Sequence, residues 1–169
     1  MELLNSVGFA VMIAVVVVIC IVIFKFANKD HKIKTEYDER QKALKGRGYM
    51  YGFYTTAIWD AVVALFIADT FELPFSLNVL YVLGVFAGIT VVCIHGIWNG
   101  AYWGLNSDKS KYLGVFIVLF VINVLPVVMY FTSSVKVDFP YANAFCSLMI
   151  LAICVTSVIR RIADKNEED

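Results

Sequence analysis

A single acid, Asp60, interrupts a long apolar stretch of the sequence, TTAIWDAVVALFIAD at residues 55–69. A charged side chain at the centre of a bilayer costs about 3 to more than 10 kcal/mol, so an acid there marks a functional site by default. The interiors of the apolar stretches contain no Lys or Arg that could pair with it. We therefore expect Asp60 to be protonated and to bond to a neutral partner, with Asn123 the leading candidate because it falls at nearly the same predicted depth.

Two interpretations of this acid are open. In the first, Asp60, Asn123 and His95 form a polar path or a ligand pocket inside the membrane. In the second, Asp60 and Asn123 only join two helices, an interaction worth about 0.6–2 kcal/mol. His95, predicted to lie about 10 Å nearer the basic side of the membrane, can also be explained as an interfacial histidine.

Motifs that would indicate catalysis are missing from the sequence. It contains no Ser/His/Asp arrangement, no HExxH, no pair of catalytic carboxylates and no glycine loop of the phosphate-binding type. The four cysteines fall within apolar stretches and show no metal-ligand spacing. The sequence therefore predicts a protein that is not an enzyme and has no cofactor and no metal site.

The apolar stretches themselves predict an all-α integral membrane bundle. The chain has 169 residues, of which 60% are hydrophobic and 17% are charged, whereas about a quarter of the residues in soluble domains are charged. A transmembrane helix needs roughly 20 residues. Five stretches are long enough, and we expect them to form one domain over residues 1–169, with spans at about 6–27, 50–69, 76–98, 112–132 and 141–160.

The basic residues predict the orientation of this bundle. Eight Lys and Arg lie between the first two spans, two between the third and fourth, and three after the fifth, whereas Lys136 stands alone on the other side. Basic residues collect in cytoplasmic loops. We therefore expect the N-terminus outside and the C-terminus inside.

Small residues recur every four positions along the second and third spans. Close backbone approach through small residues is a common way for membrane helices to associate. We therefore expect the two spans to pack as antiparallel neighbours, with Asp60 opposite Gly88 and Gly52 opposite Gly96. The two predicted ridges are Gly48, Gly52, Thr56, Asp60 and Ala64, and Gly84, Gly88, Gly96, Gly100 and Gly104.

The charged segment at residues 28–48 is the only sizeable part outside the predicted spans. Thr35 and Asp38 resemble a capping box, so we expect a helix from near Glu36, with a bend at Gly46 and Gly48 where it meets the bilayer. The segment either orients the protein as a solvated helix or docks a cytoplasmic partner. Its interleaved acids disfavour nucleic-acid binding.

Two short segments resemble a group of small multi-pass bacterial membrane proteins to which no activity is assigned. The first is Tyr37, Asp38, Glu39, Arg40 and Gln41, which matches a Y-D-E-R-Q segment before a membrane helix. The second is GAYWGLN at residues 100–106, which is similar to a D-A-Y-F-G-L-N segment after the next helix; Gly100 replaces the common acid, which puts any role at that position in doubt. The resemblance implies a bacterial protein in the cytoplasmic membrane.

Both segments fall on the predicted inner face, at the ends of the second and third spans. We therefore expect them to touch, with Arg40 or Asp38 contacting Asn106 or Asp108.

Two functions from different classes follow from these patterns. The first is a non-enzymatic membrane protein that acts through helix–helix or protein–protein contacts, as an accessory or regulatory subunit or as a homo-oligomer. Its partners would be the lipid bilayer together with another membrane protein or a second copy of the chain. The alternative is a small transporter or channel that uses Asp60 to bind a proton or a cation.

Overall fold

The structure is a computed structural model that describes residues 15, 17–68, 70–73, 75–132 and 138–168. Every regular element in this part of the chain is a helix, as predicted. The helices are α1 (Val17–Ala27), α2 (Glu39–Val62, continued by a π turn at Val63–Ile67), α3 (Leu77–Trp98), α4 (Lys109–Thr132) and α5 (Tyr141–Glu168). Four of them are long and apolar enough to cross a membrane: Glu39–Ile67, Leu77–Trp98, Lys109–Thr132 and Tyr141–Asn166. Residues 6–14 and 16 of the predicted first span, and Lys136, lie outside the described residues.

Helix α2 begins later than predicted and continues through its glycines. Its N-cap is Asp38, whose Oδ1 accepts a hydrogen bond from Gln41 N at 2.6 Å, while Gln41 Oε1 accepts one from Asp38 N at 3.3 Å. Because Gln41 completes this capping box, the predicted start at Glu36 with Thr35 as the cap is wrong. The helix runs unbroken through Gly46 and Gly48, so neither glycine interrupts it.

Helices α3 and α5 lie in the middle of the bundle, each packed against two other helices. Helix α3 packs against α2 and α5, and α5 also packs against α4. The predicted pairing of the second and third spans as neighbours is therefore confirmed. In α5 the hydroxyl groups of Ser147 and Ser157 are buried, and they donate to the carbonyl oxygens of Asn143 and Ile153, one turn earlier. These bonds satisfy the two polar groups without a partner from another helix.

One end of the bundle, which we call the basic end, contains the ends of α1, α3 and α5 and the starts of α2 and α4. Two backbone hydrogen bonds join α1 to the loop before α4: Lys29 N donates to Asn106 O at 2.8 Å, and Asp108 N donates to Ala27 O at 2.9 Å. At the opposite end aromatic rings pack together, with Phe75 5.5 Å from Tyr141 and Phe139 5.1 Å from Tyr130. Aromatic side chains favour the two edges of a bilayer.

Candidate functional site

The backbones of α2 and α3 touch at Gly52 and Gly88. A Cβ atom on Gly52 would lie 2.8 Å from the carbonyl oxygen of Gly88, and one on Gly88 would lie 2.7 Å from that of Gly52. Gly48 and Gly84 are buried on the same interface, and a Cβ on Gly84 would lie 2.6 Å from Asp60 Oδ1. The predicted use of small residues in this interface is therefore confirmed for these four glycines.

The predicted register of this interface is wrong by one to two turns. Gly52 lies opposite Gly88 instead of Gly96, and Asp60 lies opposite Gly84 instead of Gly88. The prediction placed residue 50 level with the end of α3. Gly48 instead lies level with Val92 and His95, because α2 extends further toward the basic end than expected.

Several residues of the predicted ridges are not in the interface. Ala64 is exposed, whereas Val63 beside it is fully buried. A step of four residues turns an α-helix by about 400°, which is about 40° more than a full turn. Residues spaced by four therefore drift around α2, and by Ala64 they no longer face α3. Gly96 faces the loop after α3, since a Cβ atom added there would lie 3.4 Å from Cα and Cβ of Tyr102.

The last two members of the ridge predicted on α3 lie in the loop beyond its end. Gly100 has a φ of +69°, a conformation suited to glycine after a helix end. In the loop, Gly104 approaches Glu36, and a Cβ atom there would lie 2.8 Å from the Glu36 carbonyl oxygen. These two glycines shape the loop and not the helix interface.

Asp60 lies in this interface among side chains that bond to the backbone of α3. Trp59 Nε1 donates to Leu80 O at 2.8 Å, and Thr56 Oγ1 donates to Gly84 O at 3.2 Å. Asp60 Oδ1 is buried and has no hydrogen-bond partner among the described residues. A buried polar atom without a hydrogen bond destabilises a fold.

The three residues of the predicted polar site do not come together. Asn123 Oδ1 accepts from Asn143 Nδ2 at 3.2 Å, and Asn123 Nδ2 donates to Leu119 O at 2.8 Å. In the described part of the chain Asn123 therefore joins α4 to α5 and makes no hydrogen bond with Asp60. The predicted Asp60–Asn123 pair is wrong because equal depth in two helices does not make them neighbours.

His95 shares the α2–α3 interface with Asp60, at a different depth. Its Nδ1 atom is buried and lacks a hydrogen-bond partner in the described ranges. Its ring packs edge-on against Tyr51, with centroids 5.1 Å apart. Eleven residues of α3 separate His95 from Gly84, the neighbour of Asp60, which corresponds to about 16 Å along the helix.

The segments at residues 37–41 and 100–106 do touch, through Gln41. Residues 28–38 and 99–108 form a larger structure at the basic end, which we call the platform. Asn106 is its centre, because its Oδ1 accepts from Glu36 N at 3.0 Å while its Nδ2 donates to Asp30 at 3.1 Å and to Lys34 O at 3.0 Å. Gln41 Nε2 at the start of α2 donates to the carbonyl oxygens of Gly100 and Trp103, at 3.0 and 3.2 Å.

The particular contacts expected between these segments are wrong. Asp108 accepts from the backbone N–H groups of Ser110 and Lys111 and begins α4, and Asp38 caps α2. In the described structure Arg40 forms no salt bridge with Asp108. The Asn106 side chain bonds to Asp30, Lys34 and Glu36 instead of Asp38 or Arg40. Acids at a helix start accept hydrogen bonds from free backbone N–H groups. The carboxylates of Asp38 and Asp108 are therefore used as helix caps.

A buried amide, Asn28, fastens the platform to α4. Asn28 is fully buried, its Nδ2 donates to Lys32 O at 2.8 Å, and its Oδ1 accepts from the Tyr112 hydroxyl at 3.1 Å. A buried polar group is tolerated when its hydrogen bonds are made. The platform is therefore an ordered part of the fold.

Asp30 and Tyr102 have perturbed pKa values for different reasons. Loss of hydration acts to raise the pKa of Asp30, but this is outweighed by the hydrogen bonds from Asn106 and Lys32 N and by the Lys32 charge, which lower it below 3.8. Burial raises the pKa of the Tyr102 hydroxyl, and the nearby Cys93 adds to the effect. Asp30 therefore stays ionised, and Tyr102 stays neutral.

A cavity of about 590 Å³ lies directly beneath the platform. Its walls come from α1, α3 and α4, and its rim comes from the platform and α2. Lys45 is the one charged residue among the described residues that line it, and its Nζ lies 3.6 Å from the centre of the Tyr37 ring. Neither Asp60 nor Asn123 lines this cavity.

The sequence patterns above do not predict this cavity. Among them Lys45 counts only as one of the basic residues that orient the protein. One pattern in the sequence could have indicated the cavity. Residues spaced by four place Lys45 on the face of α2 that meets the platform; they are Tyr37, Gln41, Lys45 and Tyr49. The contribution of α1 to the wall had no comparable signal.

The fold and these sites define a class, an all-helical multi-pass membrane protein. Its helices meet through glycine contacts, and a hydrogen-bonded platform joins them at one end. No family model matches the chain, and neither a curated protein nor a solved structure matches it.

Proposed function

We propose that the chain is a five-span protein of the bacterial cytoplasmic membrane, with the N-terminus outside and the platform and the C-terminus inside. The distribution of Lys and Arg supports this orientation. We further propose that it is not an enzyme and acts through protein contacts, as an accessory or regulatory subunit or by self-association.

The platform is the observation that carries this proposal. A loop surface held by buried or multiply bonded amides, Asn28 and Asn106, keeps one shape, and loops of that kind frequently carry binding functions. The platform exposes the basic side chains of Lys29 and Lys34 and the apolar side chain of Ile33, whose surface is 49% exposed. Contact sites between proteins combine an apolar centre with a polar rim, and these residues supply both kinds of group.

Photocrosslinking in native membranes tests this proposal. A photoreactive residue at Ile33 should yield one discrete product, either a dimer of the chain or a complex with another membrane protein. The product should be lost with Asn106→Ala, which removes the platform bonds. The matched control places the same residue at Lys165, exposed at the basic end on α5. Equal products from both positions, or none from Ile33, would refute the proposal.

A small transporter or channel is the second candidate. It is favoured by the two buried atoms without hydrogen-bond partners among the described residues, Asp60 Oδ1 and His95 Nδ1, on one helix interface. In proteoliposomes such a protein would carry a pH-dependent flux, and Asp60→Asn would abolish it. A protein that acts by contacts shows no such flux. Its assembly should survive this substitution because asparagine has nearly the size and shape of aspartate, and Asp60 Oδ1 has no hydrogen-bond partner to lose among the described residues.

A further inference from the structure

The cavity beneath the platform is lined mainly by apolar side chains, and one cationic side chain, Lys45, is among the described residues that line it. Ile23 of α1, Cys93 of α3 and Leu119 of α4 contribute to its walls. Leu119 lies ten residues into α4, about 15 Å from its start, so the cavity reaches well into the predicted membrane depth. Its volume of about 590 Å³ falls within the roughly 300–1,000 Å³ typical of small-molecule sites.

The polar groups of the cavity gather near its rim. Thr35, Tyr37 and Ser107 come from the platform, and Lys45 and Tyr49 come from the first turns of α2. No acid lines the cavity among the described residues, and Lys45 forms no salt bridge within the described part of the chain. Its ammonium group is held over the Tyr37 ring, a favourable placement for a cation. The charge of Lys45 is therefore available to a ligand.

We propose that this cavity binds an anionic amphiphile with a single hydrocarbon chain, such as a long-chain fatty acid. The hydrocarbon chain of the ligand lies between α1, α3 and α4. Its anionic head contacts Lys45 and the hydroxyl groups of the rim. One cation matches one anionic head. One chain suits this volume better than the two chains of a phospholipid. The site is separate from the outward face of the platform, so the proposal does not depend on the partner proposed above.

Trp103 gives a direct measurement of binding because it lines the cavity. The protein is placed in nanodiscs of phosphatidylcholine and titrated with dibrominated stearate, whose bromines quench tryptophan fluorescence on contact. We expect saturable quenching that Trp103→Phe removes. Saturable quenching that persists in Trp103→Phe would arise at Trp59 or Trp98, place the probe outside the cavity and overturn the proposal.

Charge recognition is tested with Lys45→Gln and a matched control on the same helix. Lys42→Gln removes a lysine one turn away that is paired with Glu39, Nζ to Oε1 at 2.7 Å, and does not line the cavity. We expect Lys45→Gln to weaken stearate binding about tenfold, the effect of one charge-assisted contact, and Lys42→Gln to leave it unchanged. Equal affinities of the two variants would overturn the proposal.

Recognition of the hydrocarbon chain is tested with other probes and with a substitution that fills the cavity. Acetate, which has the head without the chain, should not compete, and the alcohol with the same chain should compete about tenfold more weakly than stearate. Val115→Trp should abolish binding by occupying the space between α1 and α4. If its circular dichroism spectrum shows a folded bundle and it still binds stearate, the proposal is refuted. Tighter binding of a two-chain anionic phospholipid than of stearate would also refute it.

Discussion

Replacement of Gly52 by alanine should separate α2 from α3. A Cβ atom at this position would lie 2.8 Å from the carbonyl oxygen of Gly88, and it would also clash with Val92. Ordinary contact begins at 3.4 Å, so the helices must move apart by roughly 0.6 Å at this level. The clash is with backbone, which cannot turn aside as a side chain would.

The magnitude follows from the weaker packing that this separation leaves along the interface. A gap of about 0.5–1 Å forfeits a quarter to a half of the dispersion energy of each atom pair, and the Thr56–Gly84 hydrogen bond, at 3.2 Å, would lengthen further. Overpacking of this kind costs about 1–3 kcal/mol. We therefore expect Gly52→Ala to lower the free energy of unfolding by that amount.

Gly46→Ala provides the matched control. Gly46 lies in α2 with nothing within 4 Å of an added Cβ, so alanine there should be neutral or stabilise the helix by up to about 1 kcal/mol. The measurement is unfolding in mixed micelles with increasing dodecyl sulfate, followed by circular dichroism. Equal unfolding midpoints for the two alanine variants would show that the backbone contact is not energetically important.

Three further predictions concern the basic end. Asn106→Ala should speed hydrogen exchange of the Glu36 amide by about ten- to a hundredfold, since it removes the acceptor of that N–H; an unchanged rate would show that the platform does not depend on this side chain. Asp30 has a lowered pKa, so the stability it contributes is complete above the ordinary pKa of 3.8 and is lost as the pH falls through the pKa of the folded state. Hydrogen exchange at residues 29–36 of the wild-type protein should therefore rise in acid, and Asp30→Asn should remove this rise. Gly100→Ala should cost about 1–2 kcal/mol from its left-handed φ alone, and Gly100→Asn should cost less; equal unfolding midpoints for both variants and the wild type would contradict this.

Composition and periodicity were sufficient to predict the four long apolar helices, but not the start of α2. The described bounds of α3 and α5 begin within one residue of the predicted starts at 76 and 141, because apolar length and flanking polar residues determine where a membrane helix can lie. The glycine contacts of α2 with α3 were also predictable. Their register was not, since it depends on how far α2 continues beyond the apolar stretch.

The sites were harder to predict than the helices. Asn123 shares a depth with Asp60, yet its partner is Asn143, because α4 packs against α5. Lateral arrangement of helices leaves no mark in hydropathy. The platform was anticipated as contact between two segments, but the amides Asn106 and Gln41 make that contact because the nearby acids are used as helix caps.

The π turn at Val63–Ile67 has a consequence for changes in chain length. Such a turn holds one residue more than an α-helical turn, and here Ala68 N donates to Val63 O at 2.9 Å. Loss of one residue within it would leave a continuous α-helix whose two flanks keep their orientation. Loss of one residue between Gly52 and Asp60 would instead rotate part of the contact face by about 100° away from α3. The chain should therefore tolerate a single-residue deletion at this turn and lose its helix pairing when the deletion falls nearer the middle of α2.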